Sequence, residues 1–462
     1  MIDWLGAGFG LYTLCVLFGG LESNGAVPNE DKKPELVLYV LFDTLGADHV
    51  SHLGYDRLTT PNLDELATRG IAFENAVSPA PYAVGSIPSL LTGRYPDSHG
   101  LTGYKGELPK EEVTLAESLS QAGYRTVAIS AVYNGGAHYG NDQGFDRFAE
   151  MHLGPGPEGT RQVQFQGKLC HYPTPGESLK VVREELDGMK AGESIFLFVH
   201  FLQPHAPYSA PPQFLERFRD SRFPGPFDPN ATQELRKRTL TGVPGPEDIE
   251  STIHLYDANV AWADDALGQL VAELKSRELF EESLIVATGN HGEGFWEHGL
   301  RGHGVHLYGE LMRVPAVLKL PASDKRFGLR RSALVSNLDF VPTILERLSL
   351  DFPPRPYDGV SLMALVNDPK FVGHEKLLMR NEPKRTAKRR IAMRWPDKKV
   401  IITLPAEGDT KEAFYDPLYF DLGADPRESH NLAETQPEAT ARAVQELLDY
   451  HQAVLEGELK RE

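Results

Sequence analysis

Cysteine is scarce in this chain of 462 residues, and its basic residues are outnumbered by acidic ones. Of the two cysteines, Cys15 lies in an apolar N-terminal stretch, so the folded body holds one thiol, Cys170, and no internal disulfide is expected. The 47 Lys and Arg against 65 Asp and Glu give a formal net charge of -18. We therefore expect no nucleic-acid partner, because affinity for that polyanion comes mostly from clustered basic side chains.

Charge is also missing from residues 4–21, which are apolar and are followed by the polar residues 22–24. This pattern favours a signal peptide or a short membrane anchor over residues 1–27, although the usual basic start is absent. A packed N-terminal segment or a mis-assigned start is the alternative. A leader would predict a periplasmic, extracellular or membrane-anchored protein, and its absence would predict a cytoplasmic one.

After a polar linker, short apolar runs alternate with helix-like segments. Residues 36–42 form an unbroken apolar run, typical of a parallel strand that is buried on both faces. Three similar runs are also predicted as strands: residues 126–131, 195–200 and 284–288. Residues 60–70 and 256–277 have helical apolar spacing. The alternation predicts an α/β domain over residues 34–370, with a mostly parallel central sheet flanked by helices.

The residue composition and patterning of the sequence change from about Phe371 onwards. A basic cluster within residues 384–390 favours a solvated face over an anion-steering rim. A β-like run over residues 399–404 and a helix-like segment over residues 437–455 follow. We predict a small C-terminal α+β subdomain over residues 371–462.

Polar residues stand where three of the predicted strands end or just beyond. Asp43 ends the first strand, His205 follows the third, and Asn290 and His291 follow the fourth, with His303 shortly after. Oxygen and imidazole donors from Asp43, Asn290 and His291 suit a divalent cation held over the sheet. A lone strand-end Asp is more often a turn or a helix cap, so the joint occurrence with His205 and His303 carries the prediction of a site.

A Pro- and Ser-rich loop over residues 78–96 leads into a predicted helix. A helix N-terminus offers free backbone N–H groups and the positive end of the helix dipole. Sulfate or phosphate esters are therefore the ligands expected at this helix.

Several consecutive blocks resemble the sulfatase family of the alkaline-phosphatase superfamily. Residues 60–67 (TPNLDELA), 73–76 (FENA) and 90–100 (LLTGRYPDSHG) are similar to its early signatures. Its later signatures resemble residues 297–315 and 419–432. The resemblance implies a metal-dependent hydrolase of sulfate, phosphate or phosphonate esters with a small anionic ester as substrate.

The resemblance also assigns the nucleophile position. The family keeps a cysteine, sometimes a serine, in the motif CxPSRxxLLTG and converts it to formylglycine, whereas a related branch keeps a threonine. Counting back from Gly93 places Ala83 there, with Gly85 and Ile87 at the proline and arginine positions. An alanine methyl can neither be oxidised to an aldehyde nor attack sulfur or phosphorus.

The remaining roles follow from the resemblance with departures. Asp43, Asn290 and His291 match metal-ligand positions, although Asn290 stands where many members of the threonine branch have aspartate. His205 matches the histidine that contacts the ester, and His303 falls near the leaving group. Asn134 lies near the position of an expected lysine. The resemblance implies Ca²⁺ as the ion, and the histidine leaves room for Mn²⁺ or Zn²⁺.

Two functions remain open on these residues. The first is a working hydrolase in which Ser86 or a metal-bound water replaces the missing nucleophile, although Ser86 more plausibly caps its helix. The second is a catalytically silent homologue, a pseudoenzyme, that binds an anionic ligand or a partner protein. The Pro- and Gly-rich loops over residues 154–175 and 211–246 are expected to form the rim that selects the alcohol part. The sequence gives no sign of the oligomeric state.

Overall fold

The structure is a computed structural model. It describes residues 33–156, 162–165, 167–218, 244–351, 356–368, 370–382, 388–404 and 415–458. The predicted leader or anchor over residues 1–27 lies outside these ranges. None of the helices within them is long and apolar enough to cross a membrane.

The strands, numbered along the chain, are β1 Leu36–Asp43, β2 Ile71–Val77, β3 Tyr124–Ser130, β4 Arg147–Glu150, β5 Gln162–Phe165, β6 Lys168–His171, β7 Ser194–Pro204, β8 Leu284–Gly289, β9 Gly294–Phe295, β10 Arg301–Gly302, β11 Arg313–Lys319, β12 Leu329–Ser336, β13 Leu377–Arg380, β14 Arg390–Arg394, β15 Lys398–Thr403 and β16 Tyr415–Asp421. The α-helices are α1 Pro61–Thr68, α2 Ala83–Thr92, α3 Pro96–His99, α4 Leu115–Gln121, α5 Pro175–Asp187, α6 Pro212–Arg217, α7 Pro246–Ser276, α8 Gly309–Met312, α9 Phe340–Arg347, α10 Met363–Asn367 and α11 Pro437–Glu456.

Eight strands form the central sheet in the order β12-β2-β11-β8-β1-β7-β3-β4. β11 pairs antiparallel with both of its neighbours, and all the remaining strand pairs in this sheet are parallel. The four strands predicted from apolar runs are β1, β3, β7 and β8, and they lie side by side at its centre. The predicted mostly parallel α/β sheet is confirmed.

Helices cover both faces of this sheet, because alternate side chains of β1 enter two separate cores. Leu38 and Val40 pack with residues of α1, α5 and α7 on one face. Val37 and Tyr39 pack with residues of α2, α4 and α9 on the other. A strand with both faces buried needs the unbroken apolar run that the sequence has there.

The C-terminal part adds a four-stranded antiparallel sheet in the order β13-β14-β15-β16. Helix α11 covers it, and Leu447 and Val454 of this helix pack with Val400 and Ile402 of β15. This small antiparallel sheet with its helix agrees with the predicted α+β appendage. The domain boundaries at residues 34, 370 and 371 stay predictions.

Candidate functional site

The predicted polar residues gather at the carboxyl edge of the central sheet. β1 lies between β7 and β8, and in the parallel registers Asp43 pairs with Pro204 while Phe42 pairs with Gly289. His205 follows β7 directly, and its amide donates to the carbonyl oxygen of Asp43 at 3.1 Å. Because parallel strands end at one edge, the residues that follow them meet there.

A cavity of about 340 Å³ opens at this edge. Five predicted site residues line it: Asp43, Ala83, His205, His291 and His303. The sixth, Asn290, is fully buried and contacts Asp43. The structure therefore brings all six together, although their roles stay predictions.

Three hydrogen bonds fix the side chain of Asn290. Its oxygen Oδ1 accepts the amide N–H of Thr44 at 2.9 Å and that of His291 at 2.8 Å. Its nitrogen Nδ2 points the other way and donates to Oδ1 of Asp43 at 2.6 Å. The two backbone donors set this orientation, because a half-turn of the carboxamide would place N–H groups against N–H groups. Asn290 thus offers Asp43 a hydrogen-bond donor.

The backbone of Thr44 is bent to make this contact. Its φ is 65°, a left-handed conformation that is rare for a β-branched residue. The Tyr256 hydroxyl donates to the Thr44 carbonyl at 2.7 Å, while Asn290 accepts from the Thr44 amide. Such strain, of roughly 1–3 kcal/mol, persists where surrounding contacts determine the conformation, and it occurs often at functional sites.

The Asp43 carboxyl is buried among histidines. Burial alone would raise its pKa, but electrostatic interaction with the neighbouring rings of His205, His200, His291 and His303 holds the pKa below its ordinary value. Asp43 is therefore a carboxylate at neutral pH. Its negative charge is balanced by imidazoles and by the Asn290 donor.

His291 is held as a neutral imidazole. Its Nδ1 donates to the carbonyl oxygen of Gly292 at 2.9 Å, and its Nε2 lies 3.9 Å from Oδ1 of Asp43. Burial, with a contribution from His303, lowers its pKa to about 3. Nε2 has no hydrogen-bond partner within the described residues, so it presents a lone pair beside the cavity.

His303 forms a pair with the buried carboxylate of Glu293. Their Nδ1 and Oε1 atoms lie 3.0 Å apart. Burial would raise the pKa of Glu293, yet the charge and hydrogen bond of His303, followed by the charges of His205 and His291, hold that pKa below its ordinary value. The ring centroid of His303 lies 4.7 Å from that of His291 and 5.1 Å from that of His205. The carboxylate favours the imidazolium form of His303, which can donate to an anion.

Ala83 is the first residue of α2, and its side chain is 8% exposed in the cavity wall. The amides of Ala83 and Val84 precede the first hydrogen bonds of the helix, which the amides of Gly85 and Ser86 donate to the Tyr82 carbonyl. The helix dipole adds partial positive charge at this end. The predicted nucleophile position therefore lies where an anionic group would dock, but it presents only a methyl group.

Ser86 does not take the predicted role of helix cap. The cap residue of α2 is Tyr82, which makes no side-chain cap bond, and Ser86 lies inside the first turn. The Ser86 side chain is fully buried, is absent from the cavity lining, and its Oγ has no hydrogen-bond partner within the described ranges. The prediction of a cap is wrong because the helix begins at Ala83, four residues earlier than a Ser86 cap requires.

The residues present do not fit the divalent cation predicted here. Asp43 supplies a carboxylate, His291 one nitrogen and Thr44 a neutral hydroxyl, but Asn290 presents N–H where an oxygen donor is needed. Calcium takes roughly six to eight oxygen ligands. Across the described ranges, no group of three or more His, Cys, Asp or Glu side chains is placed to hold a metal ion.

Part of the cavity wall is aromatic. Tyr82, Tyr104, Tyr133 and Tyr172 line it, together with the predicted Asn134. The predicted rim loop over residues 154–175 contributes Val163 and residues 170–172, partly through the β5–β6 hairpin, whereas most of the loop over residues 211–246 lies outside the described residues. This wall can hold the alcohol part of an ester.

The sequence analysis did not identify two sets of side chains at this site. Glu293 follows His291 by two residues, yet nothing in the sequence there indicates that it pairs with His303 ten residues later. Tyr133 and Tyr172 come from segments without a recognisable motif. Only the folded chain places these three side chains near the cavity.

Comparison with known proteins gives consistent results. A family model described as Sulfatase matches residues 35–350. An ulvan-active sulfatase from Formosa agariphila is 25% identical over 370 residues, which cover 76% of this chain and 69% of that protein. An arylsulfatase from Clostridium perfringens is 23% identical over 480 residues, covering 93% of this chain and 95% of that protein.

Solved structures show the same fold. The phosphonate monoester hydrolase of Agrobacterium radiobacter has a TM-score of 0.71 at 20% identity, over 92% of this chain and 96% of that one. A protein solved in complex with its substrate D-glucosamine-2-N,6-O-disulfate has a TM-score of 0.73 at 19% identity, over 92% and 98% of the two chains. The central sheet and the appended antiparallel sheet are thus shared architecture.

Proposed function

The chain belongs to the sulfatase family of the alkaline-phosphatase superfamily, and from this we propose that its cavity binds a sulfate, phosphate or phosphonate ester without forming a covalent intermediate. Relatives named as sulfatases and a structural neighbour named as a phosphonate monoester hydrolase support this class of ligand. The anionic head lies at the N-terminus of α2, and the alcohol part lies against the tyrosine wall.

One observation carries the proposal: the methyl group of Ala83 stands at the start of α2 in the cavity wall. A covalent route needs a nucleophilic atom at this point, and carbon bonded to hydrogen supplies none. The groups that bind an anion are nevertheless present. They are the first amides of α2 and the His303 imidazole with its Glu293 partner.

Members of this family generally depend on a divalent metal ion. Such an ion would polarise the ester oxygen and stabilise the charge that develops on it. Calcium was the ion predicted for Asp43, Asn290 and His291, but their donors do not fit it. The proposed binding step relies on the protein's own donors alone.

A second candidate is hydrolysis by direct attack of water, and the histidine tautomers favour it. Nδ1 of His205 donates to the carbonyl oxygen of Ala206, so in the neutral form of this ring Nε2 carries the lone pair that accepts a proton. In this route His205 takes a proton from water, the water oxygen bonds to sulfur or phosphorus, and the bond to the alcohol oxygen breaks. The alcohol leaves with a proton from His303.

The test is binding and turnover of four 4-nitrophenyl esters: the sulfate, the phosphate monoester, a phosphate diester and a phosphonate monoester. We expect the unaltered full chain to bind at least one of them in calorimetry and to release no nitrophenol. Ala83→Thr should gain turnover, whereas the control Ala131→Thr, which adds the same atoms elsewhere on the lining, should not.

Each outcome has a distinct meaning. Turnover by the unaltered chain that His205→Asn abolishes would replace the first candidate by the second. Absence of binding for all four esters, in a protein whose circular dichroism shows it to be folded, would reject both.

A further inference from the structure

We propose that the Asn290 carboxamide occupies the role of a metal ion at Asp43, so that this pocket holds its ligand without any divalent cation. The inference rests on the proposed function, since it concerns how the same pocket accommodates an anionic ester. It goes further by stating which group neutralises the Asp43 carboxylate.

The hydrogen bonds of Asn290 leave it no capacity to bind a metal. Its oxygen has two lone pairs, and the amides of Thr44 and His291 use both. The Nδ2 group, which cannot coordinate a cation, lies 2.6 Å from Oδ1 of Asp43. The side chain is fully buried, and the amides that hold it belong to the backbone at two strand ends.

Reorienting this side chain would be costly. Thr44 keeps a φ of 65°, and the Tyr256 hydroxyl holds its carbonyl from the other side. If Asn290 turned its oxygen toward a cation, two buried N–H groups would lose their acceptor and would face the carboxamide N–H. The backbone therefore holds Asn290 in the orientation that donates to Asp43.

The charge on Asp43 is already compensated in this arrangement. Besides the Asn290 donor, Nε2 of His291 lies 3.9 Å from Oδ1 of the carboxylate, and the His205 amide donates to the Asp43 carbonyl at 3.1 Å. An anionic ester therefore meets a pocket in which the Asp43 carboxylate is shielded by donors and imidazoles. A metal ion is not needed to bring the ester past that carboxylate.

The sharpest test is Asn290→Asp in the full chain. The change replaces the donor at 2.6 Å by a second carboxylate oxygen beside Asp43. Two carboxylates in contact repel each other unless a proton or a cation lies between them. The variant should therefore acquire the cation dependence that the unaltered chain lacks.

A matched control is Asn381→Asp. Asn381 is also a fully buried asparagine, with Oδ1 accepting the amide of Arg390 and Nδ2 donating to the carbonyl of Val305. The new charge there faces no carboxylate partner in these contacts. It reports the general effect of a buried Asn→Asp change on folding.

Three quantities are measured for each protein: metal content after dialysis against Ca²⁺, Mn²⁺ or Zn²⁺, thermal midpoint with and without each ion, and inorganic sulfate affinity with and without EDTA. For the unaltered chain we expect no stoichiometric metal and a sulfate affinity that EDTA changes less than about twofold. For Asn290→Asp we expect one bound ion, at least about 100-fold tighter than in the unaltered chain, and a midpoint raised by that ion. Asn381→Asp should gain neither.

One equivalent of metal in the unaltered chain, lost in Asp43→Ala, would overturn the inference. So would a sulfate affinity that falls more than about tenfold with EDTA, a loss of roughly 1.4 kcal/mol. If Asn290→Asp does not fold, the metal content and EDTA response of the unaltered chain decide alone. If the unaltered chain binds neither ester nor metal, the proposed function is refuted but this inference is not. If it binds the ester only when a metal ion is present, this inference is refuted but ester binding by the cavity is not.

Discussion

Ala83 and Asn290 change the chemistry of the cavity through single atoms. At Ala83 a hydrogen stands where a covalent route needs a nucleophilic atom. At Asn290 an N–H group faces Asp43 where a metal site needs an oxygen lone pair. Both changes remove reactivity or charge while His205, His291 and His303 still line the cavity. In the proposed function, ligand binding is therefore retained where turnover is lost.

Ser86 provides a test of substitute nucleophiles. Its Oγ is buried and has no hydrogen-bond partner in the described part of the chain, and an unsatisfied buried hydroxyl costs roughly 1–3 kcal/mol. We expect Ser86→Ala to leave ester affinity unchanged and to keep or raise the free energy of unfolding in urea. The control Ser89→Ala removes a hydroxyl that donates to Gly85 O at 2.8 Å and contacts His99, and it should lower that free energy by about 1 kcal/mol. Loss of binding or turnover in Ser86→Ala would show that Ser86 takes part.

Glu293 is expected to support anion binding through His303. Gln in its place keeps the shape but removes the charge that favours the imidazolium form. Affinity for the ester in calorimetry should fall by about tenfold, or roughly 1.4 kcal/mol. Tyr208→Phe removes the other hydrogen bond to Glu293, at 3.4 Å, without a change of charge, and it should alter the affinity by less than about twofold. Equal effects of the two changes would contradict a role for the charge.

The start of helix α2 depends on a close contact with Tyr82. A Cβ on Gly85 would lie 2.6 Å from Cζ of the Tyr82 ring, and that ring both lines the cavity and donates from its hydroxyl to the Thr102 carbonyl at 2.7 Å. The absence of proline at position 85 thus has a structural reason, because the ring occupies that space. The sequence departs from the family motif at positions 83, 85 and 87.

Gly85→Ala should accordingly disturb both stability and binding. We expect a loss of about 1–3 kcal/mol in the free energy of unfolding, because the methyl group must displace the Tyr82 ring. Ester affinity should fall as well, since the ring forms part of the cavity wall. Gly176→Ala in the first turn of α5, where the nearest atom to the new Cβ is 3.9 Å away, is the control and should be neutral. An unchanged Gly85→Ala protein would mean that the ring moves freely.

The central elements could be predicted because their burial leaves a strong pattern. β1, β3, β7 and β8 each bury both faces, and each gave an apolar run. Helix α7 was predicted from Tyr256 but begins at Pro246, since its first ten residues are polar enough to hide the helical spacing. The flanking strands β2, β11 and β12 were not located, because their order in the sheet depends on long-range pairing.

The residues of the candidate site could be predicted from the sequence, but the orientation of the Asn290 side chain could not. Strand-end positions placed Asp43, His205 and His291 at one edge, as the fold requires. The direction of the Asn290 carboxamide depends on two backbone amides, one of them in the unusual turn at Thr44. A sequence does not specify that turn, so the cation expected there was inferred from residue types alone.

Buried neutral histidines recur across the whole molecule. Burial is the main cause that lowers the pKa of His99 to about 3 and those of His152, His200 and His306 to about 4. In the unfolded chain such groups titrate near their ordinary value of about 6.5. Below that pH the unfolded state binds protons that the folded state does not, so the free energy of unfolding falls as pH falls. Carboxyls whose pKa is raised by burial act in the opposite sense, and among the described residues they are three: Asp48, Asp264 at about 6 and Glu297 at about 7.

His99 is the clearest single contributor to this acid sensitivity. Its Nδ1 accepts the amide of Leu101 at 3.2 Å, and its Nε2 lies 3.0 Å from Oγ of Ser89, which donates onward to Gly85. Burial, followed by the charge of Arg94, lowers the pKa of His99 to about 3, and protonation at Nδ1 would also break the first of these bonds. As the pH falls from 6.5 to 5, the free energy of unfolding should decrease less in His99→Gln than in the unaltered chain. The two slopes should differ by about 1.4 kcal/mol per pH unit. Urea denaturation at pH 7, 6 and 5 measures this difference, and the exposed His430→Gln serves as the control. Parallel pH profiles for His99→Gln and the unaltered chain would show that His99 takes up a proton within the folded protein.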